Sequence, residues 1–399
     1  MKRLRLNWII VATTTAILGT AGLTGTTAFA KQTTLNIGMA SADAGKLDPH
    51  IATTTPDKGL LHWMFNGLVR IQPGQSSPGL IEPDIASSWT ASDDGLTWVF
   101  TMREDVDCHG DYGNLDAEDV VFSLERSASK DQSSFSGDFA AFKSIEATGN
   151  YEVTITLSNS IPSLLGTLVP YHGGNIVCKD AVEALGEGYE RTPIGTGPFM
   201  FAEYQPQQYV RLVANPEYFR GEPAIKEIFY RYIPSDASRD LAFQAGEIDM
   251  IYGRQDQTWV ERIKKLPSTT VAIMSPGEMS MISLNKTVAP LDDIRVRQAV
   301  AHSIDRKTMV AFKGQDVALP AVSVVPEGYL GYTSDVPIYE FSIDKAKALL
   351  TEAGYPNGVT IKAIHTSLPG MLGTMEALQS LLRDAGINLE IEVVEHATF

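Results

Sequence analysis

Hydrophobic and polar residues alternate with a period of two in several short stretches of the first half of the chain, which is typical of half-buried strands. The clearest case is "DIASSWTASDDGLTWVFTMR", where Asp94-Gly95 is a turn dipeptide. Leu96, Trp98, Phe100 and Met102 then fall on one face, so the segment predicts a β-hairpin. The same pattern predicts strands at 34–39, 151–159, 199–204, 209–214 and 225–233.

Helical patterns interrupt these strands at two places. "LDAEDVVFSLERS" predicts a helix capped by Asp116, with acidic residues in its first turn. "SDASRDLAFQAGEIDMIYG" predicts a short helix that Ser235 or Ser238 caps and Gly246 ends, followed by a short buried strand.

From about Leu266 the pattern changes to alternating strands and helices, which predicts a layered α/β domain with helices packed on a sheet. The expected strands are "MISLNK", "VTIKAIH" and "NLEIEVV". The expected helices are "LDDIRVRQAVAHSIDRKTMVAFKG" ending at Gly314, one capped by Ser342 and ended by Gly354, and one ended by Gly386. The last βα unit looks unfinished at Phe399, so we expect this sequence to be truncated.

The first thirty residues have the pattern of a secretory signal peptide. A basic start precedes an apolar stretch from Trp8 to Leu23, and Ala28-Phe29-Ala30 is a small-x-small cleavage site. We therefore expect cleavage after Ala30. The alternative, a membrane anchor, fits less well because the apolar stretch is short and interrupted by Thr and Gly. No Cys follows the cleavage site, so we expect a periplasmic protein without a lipid anchor.

Length and charge narrow the possible functions. The 399 residues are enough for two domains with separate cores. The net charge of −16 disfavours nucleic acid and anionic lipid as partners, and its simplest role is solubility.

Motifs of catalysis are not found. "RTPIGTGPFMFAEYQ" has the glycines of a phosphate loop but lacks the Walker lysine, and Pro198 removes an N–H that a phosphate would need.

The sequence has two cysteines, Cys108 and Cys178, which form a disulfide or remain two unrelated buried thiols, since either state fits an exported protein. With His109 they also suggest a metal site, although a fourth ligand is missing. We expect no catalytic residues, bound metal or cofactor.

Six blocks in order carry a resemblance to a known family: "IEPDIASSWTASDDGLTWVFTMRED", "LDAEDVVFSLER", "PIGTGPFMFAEY", "LVANPEYFRGEPAIKEIFYRYIPSDASRDLAFQAGEIDM", "PLDDIRVRQAVAHSIDR" and "DKAKALLTEAGYP". Together they resemble the extracellular solute-binding proteins of peptide and nickel ABC importers, family 5. The resemblance implies an α/β, two-lobe periplasmic binding protein (type II, cluster C-like) with an interlobe ligand cleft. The first lobe, mixed α+β, would span 31–252, and the second, α/β and incomplete, 253–399.

The resemblance also implies a function. The chain would be a monomeric receptor that captures a peptide or peptide-like solute and delivers it to the permease and ATPase subunits. Alternative solutes are a nickel chelate, haem, an opine or a saccharide. Two other classes are an exported metal-dependent hydrolase using Cys108, His109 and Cys178, and a peptide chaperone or sensor that uses the same cleft without transport.

Predicted ligand-binding residues follow from the family's cleft. The first-lobe loop that approaches ligand would include Thr54 and Thr55, which also fit an ordinary polar loop. Arg254 could bind a ligand carboxylate through two N–H donors, although a surface arginine fits equally. The other predicted residues are Gln255, Asp256, His365, Thr366 and His396. The Gly195-Thr196-Gly197-Pro198-Phe199 segment is expected to shape a turn rather than to bind ligand.

Overall fold

The computed structural model describes residues 33–75, 78–254, 256–273, 279–329, 331–366 and 371–394. These residues form two large hydrophobic cores, one within residues 37–232 and one within residues 296–389. The α/β, two-lobe architecture expected from the sequence is therefore confirmed. Within the described segments no helix has the length and apolarity needed to span a bilayer. The predicted signal peptide, 1–30, lies outside the described residues.

Thirteen strands are assigned among the described residues. They are β1 (Thr34–Met39), β2 (Val69–Ile71), β3 (Ile81–Pro83), β4 (Ala86–Ala91), β5 (Thr97–Met102), β6 (Phe142–Gly149), β7 (Glu152–Leu157), β8 (Phe199–Gln205), β9 (Tyr209–Ala214), β10 (Glu227–Tyr232), β11 (Met250–Ile251), β12 (Val359–Thr366) and β13 (Ile387–Val394).

Ten α-helices are assigned in the same segments. They are α1 (Thr55–Leu61), α2 (Ala117–Ala128), α3 (Leu164–Thr167), α4 (Lys179–Leu185), α5 (Asp236–Gln244), α6 (Gln257–Ile263), α7 (Ile294–His302), α8 (Arg306–Lys313), α9 (Ile343–Glu352) and α10 (Met371–Asp384).

The first lobe is built on a five-stranded sheet in the order β11-β1-β10-β9-β8. Strand β1 runs parallel to both β10 and β11, with Met39 opposite Tyr232. Strand β9 pairs antiparallel with β8 on one side and with β10 on the other. The carboxyl ends of β1, β10 and β11 therefore meet at one edge of this sheet.

A second, antiparallel sheet in the order β4-β5-β7-β6 contains the predicted hairpin. Gly95 in its turn has φ 67°, a left-handed conformation that glycine adopts without strain. Phe100 and Met102 are buried, as their shared face predicted. Helix α2 packs beside β6 and begins with a capping box in which Asp116 accepts from the N–H groups of Glu118 and Asp119.

The Gly195-Thr196-Gly197 turn packs against the chain that leaves α1. A Cβ atom added to Gly195 would lie 2.1 Å from the Met64 carbonyl oxygen, and one added to Gly197 would lie 2.7 Å from the same atom. These glycines allow two backbone segments to touch, which supports the turn-shaping role predicted for this motif.

The second lobe packs helices α7, α9 and α10 on the parallel pair β12 and β13. Ser342 caps α9 by accepting from the Lys345 N–H, and Gly354 follows the helix end, as predicted. Sequence-local caps thus fix the helix boundaries here.

Three predicted elements differ from the structure. "MISLNK" is not a strand, because no neighbouring strand pairs with residues 281–286 among the described residues. The single helix expected up to Gly314 is two helices, because Asp305 caps the N-terminus of α8 and ends the continuous helical ladder. The expected buried strand in "EIDMIYG" is only two residues long, and Met250 at the sheet edge is 46% exposed.

A small third hydrophobic cluster lies beside the first-lobe sheet. Trp259, Val260 and Ile263 of α6 pack with Ile251 of the first-lobe sheet and with Val317. The Lys264 ammonium also lies 2.8 Å from the Asp316 carboxylate. Helix α6 therefore contacts both the first-lobe sheet and residues near 317.

Candidate ligand-binding site

The carboxyl edge of the parallel strands β1, β10 and β11 is the candidate site in the first lobe. Ligands of α/β proteins commonly bind outside the carboxyl ends of parallel strands, where loops leave the sheet. The backbone here is held in register, since Ile233 donates to Met39 and Tyr252 donates to Gly38 across the edge. The segments that follow these three strands therefore lie side by side.

Asp57 organises the loop that follows β1. Its buried carboxylate accepts from the Gly45 N–H at 2.9 Å and from the Thr54 hydroxyl at 2.7 Å. The Tyr230 hydroxyl donates to the Pro56 carbonyl at 2.8 Å and so fixes the start of α1 to the sheet. The buried Asp57 carboxylate thus has hydrogen-bond donors within the loop, and these bonds fix the loop in place.

The structure places the predicted residues Thr54 and Thr55 at the start of α1. Thr54 is the N-cap, and its side chain accepts from the Asp57 N–H, while Thr55 is exposed in the first turn. A capping role accounts for the threonine at position 54. Contact of either residue with a ligand stays a prediction.

Two tyrosines on β10 lie just below this edge, with ring centroids 6.0 Å apart. Burial raises the pKa of both Tyr230 and Tyr232 well above 10, so both hydroxyls stay protonated. The buried Tyr232 hydroxyl and the Ser41 hydroxyl have no hydrogen-bond partner within the described protein. Hydrogen-bonding capacity is therefore unused beside the candidate site.

Arg254, a predicted ligand residue, lies two residues after Tyr252 at the same edge. Its guanidinium Nε is 3.3 Å from the Asp236 carboxylate, and both side chains are 46% exposed. The Asp236 carboxylate also forms an ion pair with the buried Arg239, whose guanidinium nitrogen lies 2.5 Å from the carboxylate oxygen. The Arg254 guanidinium is therefore partly exposed and paired with Asp236, and its contact with a ligand stays a prediction.

The remaining predicted residues are distributed over the fold. Asp256 is the N-cap of α6 and accepts from the Trp259 N–H at 2.6 Å, which gives it a structural role. His365 is buried near the end of β12, and Thr366 is the last residue of that strand. Gln255 and His396 lie outside the described residues. The structure thus places Arg254 and Asp256 on one segment and His365 on a separate strand, β12.

The metal site considered for Cys108, His109 and Cys178 is ruled out by the structure. The two sulfurs are joined in a disulfide, which settles the open question of their pairing and leaves no thiolate to bind a metal. The His109 ring accepts from the Gly195 N–H and contacts the Gly197 carbonyl at 2.9 Å. Burial lowers the pKa of His109 to about 4, so this histidine is neutral and holds the glycine turn.

Sequence reasoning missed Asp57, Tyr232 and Lys58, which lie near the predicted loop but carry no motif. Strand endings at Met39 and Tyr232 were visible in the sequence, yet their parallel pairing was not. The only usable signal was the proximity of Asp57 and Lys58 to the predicted ligand loop along the chain.

Comparison with known protein families gives a match over most of the chain. The model of bacterial extracellular solute-binding proteins, family 5 Middle, matches residues 81–399. Heme-binding protein A of Haemophilus influenzae is 28% identical over 316 residues, covering 74% of this chain and 57% of its own length. Probable di/tripeptide-binding protein 5 of Pseudomonas aeruginosa is 28% identical over 355 residues, which cover 83% of this chain and 67% of that protein. The chain thus spans about three fifths of the length of these relatives.

A solved structure is similar over nearly the whole described chain. The binding protein MoaA of A. tumefaciens R10, in complex with mannopinic acid, is 41% identical with a TM-score of 0.78. The match covers 92% of this chain and 74% of that protein.

Proposed function

Because the chain belongs to the bacterial extracellular solute-binding proteins, family 5, we propose that it is the solute-binding receptor of an ABC importer. The observation that carries this proposal is the 41% identity and TM-score of 0.78 to a binding protein solved with its solute. The exposed Arg254 at the carboxyl edge of the first-lobe sheet supports a binding role for the same region.

The proposed solute is a peptide or a peptide-like organic acid. Among the relatives, one is named for di- and tripeptides and one was solved with mannopinic acid, and both kinds of molecule carry a carboxylate. A guanidinium recognises a carboxylate through paired, charge-assisted hydrogen bonds, which fits Arg254. Haem, a nickel chelate and a saccharide are the competing solutes.

The proposed mechanism is closure of two lobes around the solute. The first lobe would span 31–252 and the second 253–399, with α6 beside the crossing point. The Trp259 indole donates to the Asp240 carboxylate at 3.0 Å, so α6, the first helix of the proposed second lobe, is bonded to α5 of the first lobe at this crossing point. The closed form would be recognised by a permease with its ATPase at the membrane, the receptor acting as a periplasmic monomer without catalysis.

Solute capture by the purified chain tests this proposal. Native mass spectrometry identifies any co-purified molecule, and calorimetry then measures binding of mannopinic acid, an alanyl dipeptide, nickel–histidine and haem. We expect a peptide-like acid to bind with one-to-one stoichiometry. If only haem or only nickel–histidine binds, the proposed solute class of peptide-like acids is wrong and the bound solute takes its place. If the chain neither binds nor retains any solute, the receptor proposal is wrong.

A further inference from the structure

Lys58 on α1 lies between two aromatic rings contributed by distant parts of the first lobe. Its ammonium is 4.5 Å from the ring centroid of Tyr171 and 5.0 Å from that of Phe135. Both distances are within the range of a cation–π interaction, so the rings hold the charge in a defined place.

The Lys58 ammonium differs from those of Lys46 and Lys226 because its recorded contacts are aromatic rings rather than a carboxylate. Lys46 lies 2.6 Å from Glu190, and Lys226 lies 2.6 Å from Glu222. The Asp138 carboxylate acts electrostatically on Lys58, and it also lies 3.5 Å from the His172 ring. The ammonium N–H groups therefore remain available to an anion.

Three backbone segments hold this cluster in place. The start of α1 is fixed by the Asp57 carboxylate and by the Tyr230 hydroxyl. The segment before Phe135 is tied by the bond from the Ser134 N–H to the His50 carbonyl at 2.9 Å. The loop containing Tyr171 is held where the Ser127 hydroxyl donates to the Gly173 carbonyl at 2.6 Å. A preorganised cluster loses little freedom when it binds a ligand.

The exposed surface of the cluster combines charge with apolar area. Tyr171 is 46% exposed, and its ring contacts the half-exposed His172 with centroids 5.0 Å apart. The protein as a whole carries a net charge of −16, so the positive charge of Lys58 is a local attraction for anions. Partial burial lowers the pKa of the Lys58 ammonium.

We propose that the cluster of Lys58, Phe135, Tyr171 and His172 recognises a carboxylate of the bound organic acid. The carboxylate accepts from the Lys58 ammonium, and the carbon skeleton of the acid packs on the exposed face of Tyr171. This inference rests on the receptor function proposed above and adds a second cationic contact, separate from Arg254.

Lysine side-chain ¹⁵N NMR of the full chain tests the site with a simple probe. Phenylacetate supplies a carboxylate and an apolar ring, and phenylacetamide is its neutral counterpart. The Lys58 signal, identified by its loss in Lys58→Arg, should shift saturably with phenylacetate and stay unchanged with phenylacetamide. No shift with phenylacetate up to its solubility, or equal shifts with both probes, would overturn the proposal.

Variants separate charge from packing, with the His172 ring signal as the common readout of affinity. Lys58→Met keeps the apolar stem and should weaken phenylacetate binding about tenfold or more, the value of a charge-assisted hydrogen bond. Lys58→Arg should retain most of the affinity, and the exposed Lys130→Met should match the wild type. Equal affinity of Lys58→Met and wild type would refute the role of the ammonium.

The outcomes also separate this site from the receptor function. If the wild type captures a solute that Lys58→Met binds equally well, the receptor function stands and the Lys58 site is wrong. If no solute is captured but phenylacetate moves the Lys58 signal as expected, the anion site stands and the receptor function is wrong.

Discussion

The Gly197 N–H donates to the Met64 carbonyl oxygen at 2.8 Å, so the glycine-rich turn lies directly on the chain that leaves α1. The Asn215 side-chain amide and the His109 ring both contact the Gly197 carbonyl from the other side. This turn therefore joins segments near residues 64, 109 and 215 of the first lobe, and its glycines serve packing rather than phosphate binding.

Gly195→Ala should destabilise the first lobe by about 3 kcal/mol, because the new Cβ would overlap the Met64 carbonyl in a tightly packed region. Urea unfolding followed by tryptophan fluorescence measures the change. Gly188→Ala is the matched control, since a Cβ there meets no atom within 4 Å. Equal midpoints for the two variants would contradict the packing argument.

Removal of the disulfide should lower stability by about 4 kcal/mol, because the Cys108–Cys178 bond closes a loop with a sequence separation of 70. The double variant Cys108→Ala/Cys178→Ala measures this loss by thermal unfolding. Dithiothreitol should destabilise the wild type to a similar extent and leave the double variant unchanged. Thiol titration of the denatured, unreduced wild type should detect no reactive thiol, and two reactive thiols would show that the bond does not form.

Acidification should destabilise the first lobe through two buried histidines. Burial, aided by the charge of Arg126, lowers the pKa of His50 to about 4, and burial lowers that of His109 to about 4. Both values lie below the ordinary 6.5, so the unfolded state binds more protons between pH 6.5 and about 4. The contribution of the two neutral histidines to the free energy of unfolding is therefore complete above pH 6.5. It is lost as the pH falls from 6.5 to about 4.

The slope of this loss identifies the histidines responsible. Each contributes up to about 1.4 kcal/mol per pH unit within the window. His109→Gln, compared by urea unfolding at pH 7 and pH 5, should lose less stability on acidification than the wild type does. The exposed His62→Gln should keep the wild-type pH dependence. An unchanged slope in His109→Gln would exclude that residue as a source.

Arg254→Ala should weaken binding of an acidic solute about tenfold, because a bidentate charge-assisted contact is lost. Asp236 keeps its buried partner Arg239, so thermal stability should change little. Calorimetry with the solute captured by the wild type checks the affinity, and Arg297→Ala in the second lobe is a charge-matched control. Equal affinity of Arg254→Ala and wild type would remove Arg254 from the site.

Local signals predicted much of the secondary structure. Asp116, Ser235 and Ser342 cap the helices that their sequence context indicated, because a cap depends on neighbours within three residues. The "MISLNK" strand failed for the opposite reason: a strand requires a partner, and alternation of residues alone does not supply one.

The candidate site was less predictable than the fold. The family resemblance predicts Arg254 as a ligand residue, but its pairing with Asp236 depends on how α5 lies against β11. Thr54 and Asp256 were proposed as ligand residues, and the structure gives both a helix-capping role that the sequence allowed but did not distinguish.

The sequence by itself determined the family, the two-lobe α/β class, the hairpin and most helix ends, because ordered motifs and local hydrogen bonds encode them. Only the tertiary structure decided that Cys108 pairs with Cys178, that β1 runs parallel to β10, and that Lys58 meets Tyr171. Each of these contacts joins residues far apart in the chain. Their formation depends on packing of the whole lobe, which no short stretch of sequence specifies.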